Sequence, residues 1–358
     1  MLTFSVFNKI DDIESVWKKL CANRKDISPF QEFDLVKMVV EHYWPYWIVK
    51  RTVCRFYVFY ESSKPVLILP IEKALFANKC YLFAVINGFN YRDLIVGESK
   101  YIKPCIDIFI EKVSPIVVEG LPVDSLTYKS LDFNSISYKL RKCRSINFID
   151  IINQKSKETV NTPYDIYFSS LSKSVKQNLR TSYNRLEKQN INYKLLAYFG
   201  GNDECVSWDG SLKTIGFDYK KKKILFDKIK ALYKKRHVER YRRLFIKELL
   251  LEKTFAMYSY ENYSKALTLV LTYNDEIAAF MSGYVSRTGV YTVPKLAIDA
   301  NYAFFSPGMM LINESIKYFL NADLQINILD LSRGNESYKE KMGGIVFHLA
   351  DFVLSNKK

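Results

Sequence analysis

A Ser-Pro-Gly turn, Ser306 to Gly308, follows a strand-like run that ends near Ile298. Serine suits the N-cap of a helix and proline its first turn, so a helix is predicted to begin here. Amides at a helix start bind phosphate groups, and glycine leaves room for a bulky anion. The turn therefore predicts a diphosphate site, although an ordinary strand–loop–helix connection would carry the same residues. The residues of this predicted ligand site are Leu296, Ala297, Ile298, Phe305, Ser306, Pro307, Gly308, Met309 and Met310.

A second polar segment follows a predicted strand that ends near Asp330 and leads through Gly334 into a short helix. Polar groups at the end of a strand are a common way to build a site. Asp330 is the candidate to orient or deprotonate a nucleophile, and Tyr338 is the candidate acid for a leaving group. Arg333 and Lys339 are candidates to hold anionic groups. The alternative is a capped helix whose tyrosine packs and whose charges are solvated.

Both segments lie in a C-terminal half whose apolar spacing predicts two helices, three strands, and then helix, strand, helix and strand. Asn274-Asp275 is a typical hairpin turn between the first two of these strands. A similar but weaker order in residues 1–150 indicates two related modules. The predicted helices span 10–20, 31–43, 106–113, 171–189, 224–233, 243–255, 306–320 and 335–341, and the predicted strands span 55–60, 65–71, 145–152, 265–273, 276–285, 289–298, 325–331 and 346–354.

The whole-chain composition excludes several classes of protein. A length of 358 residues with 48% hydrophobic content predicts two globular domains. No apolar run is long enough for a membrane span and the N-terminus lacks a signal-peptide pattern, so a soluble, cytoplasmic protein is expected. The six cysteines are scattered and form no Cys-x-x-Cys pair, which argues against a metal site or a disulfide framework. Hydrolase and nucleotide-triphosphatase motifs are also missing from the sequence.

The net charge of +15 is large enough to serve an anionic ligand, a nucleic acid or a membrane surface. A lysine-rich compositional bias without any partner would give the same charge. Within the predicted helix 171–189, Lys173, Lys176 and Arg180 lie about one turn apart and form a basic stripe. The stripe is a candidate for binding RNA phosphates, with Arg180 as a substrate-binding residue, or else a solvated face.

Several of these segments together resemble GNAT-type acyltransferases related to CelD and FemAB. The Ser-Pro-Gly helix start followed by Asp-x-x-x-Gly-x-x-x-Tyr-Lys occurs in the order usual for that family. Residues 165–345 carry the resemblance. The matching pieces are Leu171–Arg180, Glu276–Ala279, Ser306–Gly308, Asp330–Gly334 and Tyr338-Lys339.

The resemblance implies an α/β fold of tandem GNAT-like modules, with mixed central sheets flanked by helices. Residues 1–155 would form a degenerate N-terminal module and residues 156–358 the acyltransferase domain. The implied reaction is N- or O-acyl transfer from acyl-CoA, most simply acetyl-CoA, without a metal. The implied acceptor is a small molecule or glycan, such as a sugar or polysaccharide precursor in polysaccharide biosynthesis.

Two other functions stay open at this stage. The phosphate-loop pattern usual in the GNAT superfamily is not intact, because the loop 303–308 has a single glycine. FemAB-like enzymes use aminoacyl-tRNA, so tRNA is an alternative donor. A non-catalytic GNAT-like binding scaffold is the other alternative, and peripheral membrane association is compatible with all three.

Overall fold

The structure, a computed structural model, divides the chain into two compact units. The described part of the first unit lies within Met1–Cys143 and Phe347–Lys358, and that of the second within Arg144–Phe245 and Ala256–Val346. The division falls before the predicted boundary at 155/156, because Phe148 and Ile152 pack in the core of the second unit. The described residues are 1–22, 24, 27–42, 51–77, 79–83, 91–133, 136–155, 162–241, 257–322, 324–334 and 336–355, without the side chains of 154–155 and 236–241.

The first unit is a mixed sheet with helices on both faces. Its strands follow the order β1-β2-β3-β4-β6-β15, and β4 and β6 form a parallel pair. Phe56 and Tyr57, adjacent on β2, face opposite sides of the sheet, where Phe56 contacts Trp17 of α1 and Tyr57 contacts Phe109 of α3. The elements are β1 (Leu2–Phe7), α1 (Glu14–Ala22), α2 (Phe33–His42), β2 (Thr52–Glu61), β3 (Lys64–Ala74), β4 (Cys80–Leu82), β5 (Ile95–Val96), α3 (Ile102–Lys112), β6 (Ile116–Pro122), α4 (Leu126–Lys129), β7 (Tyr138–Asn147) and β15 (Ile345–Leu354). Of the last two strands, residues 138–143 and 347–354 belong to this unit.

The second unit is also a mixed sheet, in the order β14-β13-β12-β11-β8-β9-β10. β11 is buried along its whole length, and Leu195 of β8 lies in the same core cluster as Leu311 of α9. Tyr198 of β8 faces the other side and contacts Phe226 of α8, so helices cover both faces. The elements are α5 (Phe148–Lys155), α6 (Pro163–Ser170), α7 (Lys173–Lys188), β8 (Tyr193–Phe199), β9 (Glu204–Trp208), β10 (Leu212–Gly216), α8 (Tyr219–Tyr241), β11 (Ala266–Tyr273), β12 (Glu276–Val285), β13 (Val290–Ile298), α9 (Pro307–Asn321), β14 (Ile328–Arg333) and α10 (Ser337–Lys341).

The two units repeat one strand order. The series β1-β2-β3-β4-β6 in the first unit corresponds to β8-β11-β12-β13-β14 in the second. In each series the last two strands are parallel and a helix, α3 or α9, connects them in the chain. The predicted α/β class, with mixed sheets flanked by helices, is therefore confirmed.

Most predicted elements of the described residues are present, with one error of type. The predicted strand 145–152 is wrong because β7 ends at Asn147 and α5 begins at the next residue. The Asn147 side chain accepts a hydrogen bond from the Asp150 amide (3.1 Å), which caps the new helix. The predicted helix 243–255 lies outside the described residues. No helix in the described ranges is long and apolar enough to cross a membrane.

Candidate functional site

The strands β13 and β14 separate soon after they pair. β14 pairs in parallel with β13 only between Val290–Thr292 and Ile328–Asp330. On its other side β13 stays paired with β12 as far as Ile298. In the described part of the chain, residues 293–298 of β13 therefore have no strand partner on the β14 side. We call this opening the β13–β14 cleft, and the predicted residues Leu296, Ala297 and Ile298 lie along it.

A β-bulge lies at the point where the cleft begins. Ser282 is opposite Lys295 and Tyr284 is opposite Thr292, so β13 has one residue more than β12 between these pairs. Bulges increase local twist and bend the strand that carries them. A side chain at Gly283 is impossible here, because its Cβ would lie 1.9 Å from the Thr292 carbonyl oxygen. The bulge coincides with the end of the β13–β14 pairing, since Thr292 is the last residue of β13 that pairs with β14.

The turn from β13 into α9 differs from the predicted cap. Ser306 has a left-handed backbone (φ 51°), and its side chain makes no capping hydrogen bond. Its carbonyl oxygen instead accepts the amides of Met309 and Met310, both at 3.1 Å, and its own amide donates to Ala303. The expected capping hydrogen bond from the Ser306 side chain is therefore absent, and the amides of Met309 and Met310 are satisfied by the Ser306 carbonyl.

Gly308 provides the remaining open amide of this turn. Pro307 has no N–H, and in the described chain the Gly308 amide has no acceptor. A Cβ at Gly308 would lie 3.3 Å from Cγ2 of Ile298, so the turn sits against the end of β13. The predicted residues Ile298 and Gly308 are thus adjacent at the mouth of the cleft.

Arg185 of α7 is a cation at the same turn that the sequence did not single out. Its Nη1 donates to the Phe304 carbonyl (2.7 Å), and its guanidinium lies 4.0 Å from the centre of the Phe304 ring. No carboxylate among the described side chains pairs with it. A planar guanidinium with spare donors suits a phosphate group. No sequence signal links these residues, since 119 positions separate Arg185 from Phe304.

Asp330 is the last residue of β14 that pairs with β13, and it lies where the cleft begins. It is buried, it is in register with Thr292, and its Oδ1 accepts the amide of Ser332 at 2.8 Å. Ser332 has a left-handed backbone (φ 56°), and its buried hydroxyl has no hydrogen-bond partner in the described structure. Strained backbone and unsatisfied buried groups are concentrated at functional sites. Ser332 is a second residue that sequence reasoning missed.

Lys339 and Tyr338 of α10 have different surroundings. Lys339 is 4% exposed, its ammonium donates to the Arg333 carbonyl (2.7 Å), and it pairs with Glu336 (3.1 Å). These contacts hold the loop between β14 and α10 and point the charge into the protein. Tyr338 is half-buried against the core cluster of the second unit. Arg180, the remaining predicted residue, is exposed on α7 and lies over the Phe168 ring of α6.

A buried polar network lies further along α9. Glu314 is 3% exposed, and it accepts hydrogen bonds from the Tyr183 hydroxyl and from the Lys317 ammonium, the latter at 2.7 Å. Asn313 donates to Tyr183 (2.7 Å) and accepts from Tyr164 (3.1 Å). Burial, with Glu314 second, raises the pKa of Tyr183 well above its usual value. The network borders a cavity of about 940 Å³ lined partly by Tyr183 and Lys317.

Part of the second unit is similar to a known protein family. Residues 224–340 match the family model described as an acetyltransferase (GNAT) domain, and this range includes the cleft, the α9 turn and α10 as far as Glu340. The match indicates a GNAT-type fold in the second unit. No curated sequence shows significant similarity to the chain.

Solved structures resemble the whole chain. A conserved protein of unknown function from Bacteroides thetaiotaomicron is 12% identical, with a TM-score of 0.54 over 99% of this chain and 100% of that one. A tandem GNAT protein from the clavulanic acid biosynthesis pathway is 7% identical over 100% of both chains, with a TM-score of 0.47. FemX is 10% identical, with a TM-score of 0.44 over 98% of this chain and 97% of that one. At such identities, the first similarity indicates a shared fold alone, and none of the three assigns a function to this chain.

Proposed function

We propose that the second unit transfers an acyl group from acyl-CoA, most simply acetyl-CoA, to an amine or hydroxyl. The observation that carries the proposal is the separation of β13 from β14 beside a turn with an open amide at Gly308. An extended, amide-bearing ligand arm fits an exposed strand edge, and a diphosphate fits the start of a helix. The cleft and the turn place both features at one end of β13.

The donor is held by backbone and by one cation. The backbone of Ala297 and Ile298, with Leu296 beside them, pairs with the pantetheine arm. The Gly308 amide and the Arg185 guanidinium hold the diphosphate, and the dipole of α9 adds to the attraction. Arg185 lacks a carboxylate partner in the described structure, so its charge is available for this purpose.

Transfer proceeds by direct attack, without an acyl-enzyme. The acceptor nitrogen or oxygen attacks the thioester carbonyl and the bond from carbon to sulfur breaks. Asp330 takes the acceptor proton, and Tyr338 gives a proton to the departing thiolate. The Ser332 hydroxyl is the hydrogen-bond partner for the acceptor, since its burial without a partner needs one. The family resemblance makes a sugar or polysaccharide precursor the acceptor of choice.

Thermal unfolding with acetyl-CoA and with free CoA tests the donor assignment. A specific ligand at a hundred times its Kd stabilises the folded state by about 2.7 kcal/mol, and the shift grows with concentration. Pantetheine, the part of CoA without the nucleotide and the diphosphate, should stabilise less. If neither CoA compound shifts the transition, acyl-CoA is not the donor.

Arg185 provides a more specific test of the same site. Arg185→Met should weaken CoA binding by roughly tenfold, because a charged hydrogen bond to phosphate contributes about 1.5 kcal/mol. Arg185→Lys keeps the charge and should recover part of the affinity. Arg180→Met, on the same helix but over Phe168, is the matched control. Equal affinity in Arg185→Met and the wild type would remove Arg185 from the site.

Aminoacyl-tRNA is the alternative donor. The exposed residues Lys173 and Arg180 on α7 favour it, because a basic helix face binds RNA phosphates. Retention on tRNA at moderate salt, without stabilisation by CoA, would support this alternative. CoA binding without turnover on any amine or hydroxyl would instead indicate a binding scaffold.

A further inference from the structure

Apolar and cationic side chains share one exposed surface at the start of α8. Tyr219 is 74% exposed and Ile224 is 51% exposed, far more than is usual for side chains of this size. Lys220 and Lys223 lie on the same face, because residues three or four apart on a helix are neighbours. Ile215, at the end of β10, is 38% exposed.

β10 places Ile215 on the α8 side of the sheet. Ile215 is in register with Cys205, and Cys205 is in register with Tyr198. Side chains in register share a face, and the Tyr198 ring contacts Phe226 of α8 (5.5 Å). The end of β10 also meets the first turn of α8, where Lys221 donates to the Gly216 carbonyl (2.9 Å). We call Ile215, Tyr219, Lys220, Lys223 and Ile224 the α8 patch.

The charge around the α8 patch is strongly positive. Residues 219–235 contain eight lysines and one aspartate. Some of these lysines are neutralised locally, as Lys222 is by Asp203 and Lys228 is by Glu276. Within the described residues, Lys220 and Lys223 have no carboxylate partner. The two cations in the patch are therefore available to an external anion.

We propose that the α8 patch docks the protein on an anionic lipid surface. Lysines attract anionic headgroups, and exposed aliphatic and aromatic side chains enter the boundary between headgroups and acyl chains. A polynucleotide would neutralise the lysines but would offer no apolar layer for Ile215 and Ile224. A second copy on a twofold axis would place Lys220 and Lys223 against themselves, which is repulsive. Only the lipid surface uses both halves of the patch.

Vesicle sedimentation tests the proposal without any acyl donor or acceptor. The full chain should bind vesicles of phosphatidylcholine containing phosphatidylglycerol, and should bind pure phosphatidylcholine much less. Lys220→Ser with Lys223→Ser should weaken partitioning by about 25-fold, since each lysine near the surface contributes about fivefold. Tyr219→Ser with Ile224→Ser should weaken it by at least about tenfold through lost apolar burial.

Matched controls separate the patch from general charge and hydrophobicity. Lys173→Ser with Lys188→Ser removes the same charge from the exposed face of α7, and Leu140→Ser removes a 45% exposed apolar side chain from the first unit. Both should retain most of the vesicle binding. Vesicle binding that depends on the lysines but not on Tyr219 and Ile224 would overturn the proposal, because the apolar side chains of the patch would then not enter the lipid. Equal binding to vesicles with and without phosphatidylglycerol would also overturn it.

Discussion

Gly308 offers a graded test of the donor site, through Gly308→Ala and Gly308→Leu. A Cβ at this position would lie 3.3 Å from Cγ2 of Ile298, which is tight but can be relieved by a small shift. A leucine side chain continues outward from that contact, beside the open amide of the turn. The alanine variant therefore narrows the mouth of the β13–β14 cleft, and the leucine variant obstructs it.

The expected effect on binding is large and the effect on folding is small. A phosphate kept beyond hydrogen-bonding distance of the Gly308 amide loses a charged hydrogen bond of about 1.5–3 kcal/mol. This corresponds to roughly a 10- to 150-fold increase in Kd for CoA. Replacement of a helical glycine gains up to about 1 kcal/mol in helix propensity, which offsets the tight contact with Ile298. The free energy of unfolding should stay within about 1 kcal/mol of the wild type.

Calorimetric titration with CoA and urea unfolding measure these two quantities separately. Gly216→Leu is the control, because a Cβ there meets no atom within 4 Å. The control should leave the Kd for CoA unchanged, and Gly308→Ala should fall between the wild type and Gly308→Leu. If Gly308→Leu binds CoA as tightly as the wild type while folded, the helix start does not hold the donor.

Three further perturbations follow from the same structure. Tyr338→Phe should lower kcat by about 10²- to 10⁴-fold with little change in KM, because it removes an acid and not a binding group. A change in KM as large as the change in kcat would exclude that role. Lys317→Met should lower the free energy of unfolding in urea by about 2–3 kcal/mol, because it leaves the buried Glu314 carboxylate without its cation, and adding Glu314→Gln should restore part of the loss. Because burial raises the pKa of Tyr183, the folded state keeps this proton above about pH 10 while the unfolded state loses it, so stability should fall as the pH rises. Tyr183→Phe should reduce that slope by about 1.4 kcal/mol per pH unit, and an unchanged slope would assign it to other groups.

Local sequence signals predicted the elements well where a turn or a cap marks the boundary. Asn274 and Asp275 both have positive φ, as a tight hairpin turn requires. Ser172 caps α7 with a hydrogen bond from the Val175 amide. The misassigned segment 145–152 contained such a signal too, because Asn147 caps α5, but its apolar run favoured a strand.

The sequence predicted only those parts of the site that are formed by residues close together in the chain. Pro307 begins α9 as expected, yet the left-handed backbone of Ser306 has no signature in a single sequence, because glycine or asparagine usually marks that conformation. Arg185 reaches the turn through a tertiary contact between α7 and the residues before α9. The burial of Lys339 likewise depends on the fold of the loop after β14. Long-range packing decided each of these outcomes, and periodicity does not report it.

Because of the bulge opposite Gly283, access of a ligand to the β13–β14 cleft depends on the number of residues in β13. Between the pairs Ser282–Lys295 and Tyr284–Thr292, β13 contains one residue more than β12, and the extra residue is Val293 or Pro294. Deleting Pro294 would equalise the two spans and let β13 continue alongside its parallel neighbour, sealing the opening while every side chain that meets a ligand stayed intact. A single insertion or deletion can therefore convert such a sheet between an open receptor and a closed structural layer without altering the apolar interior.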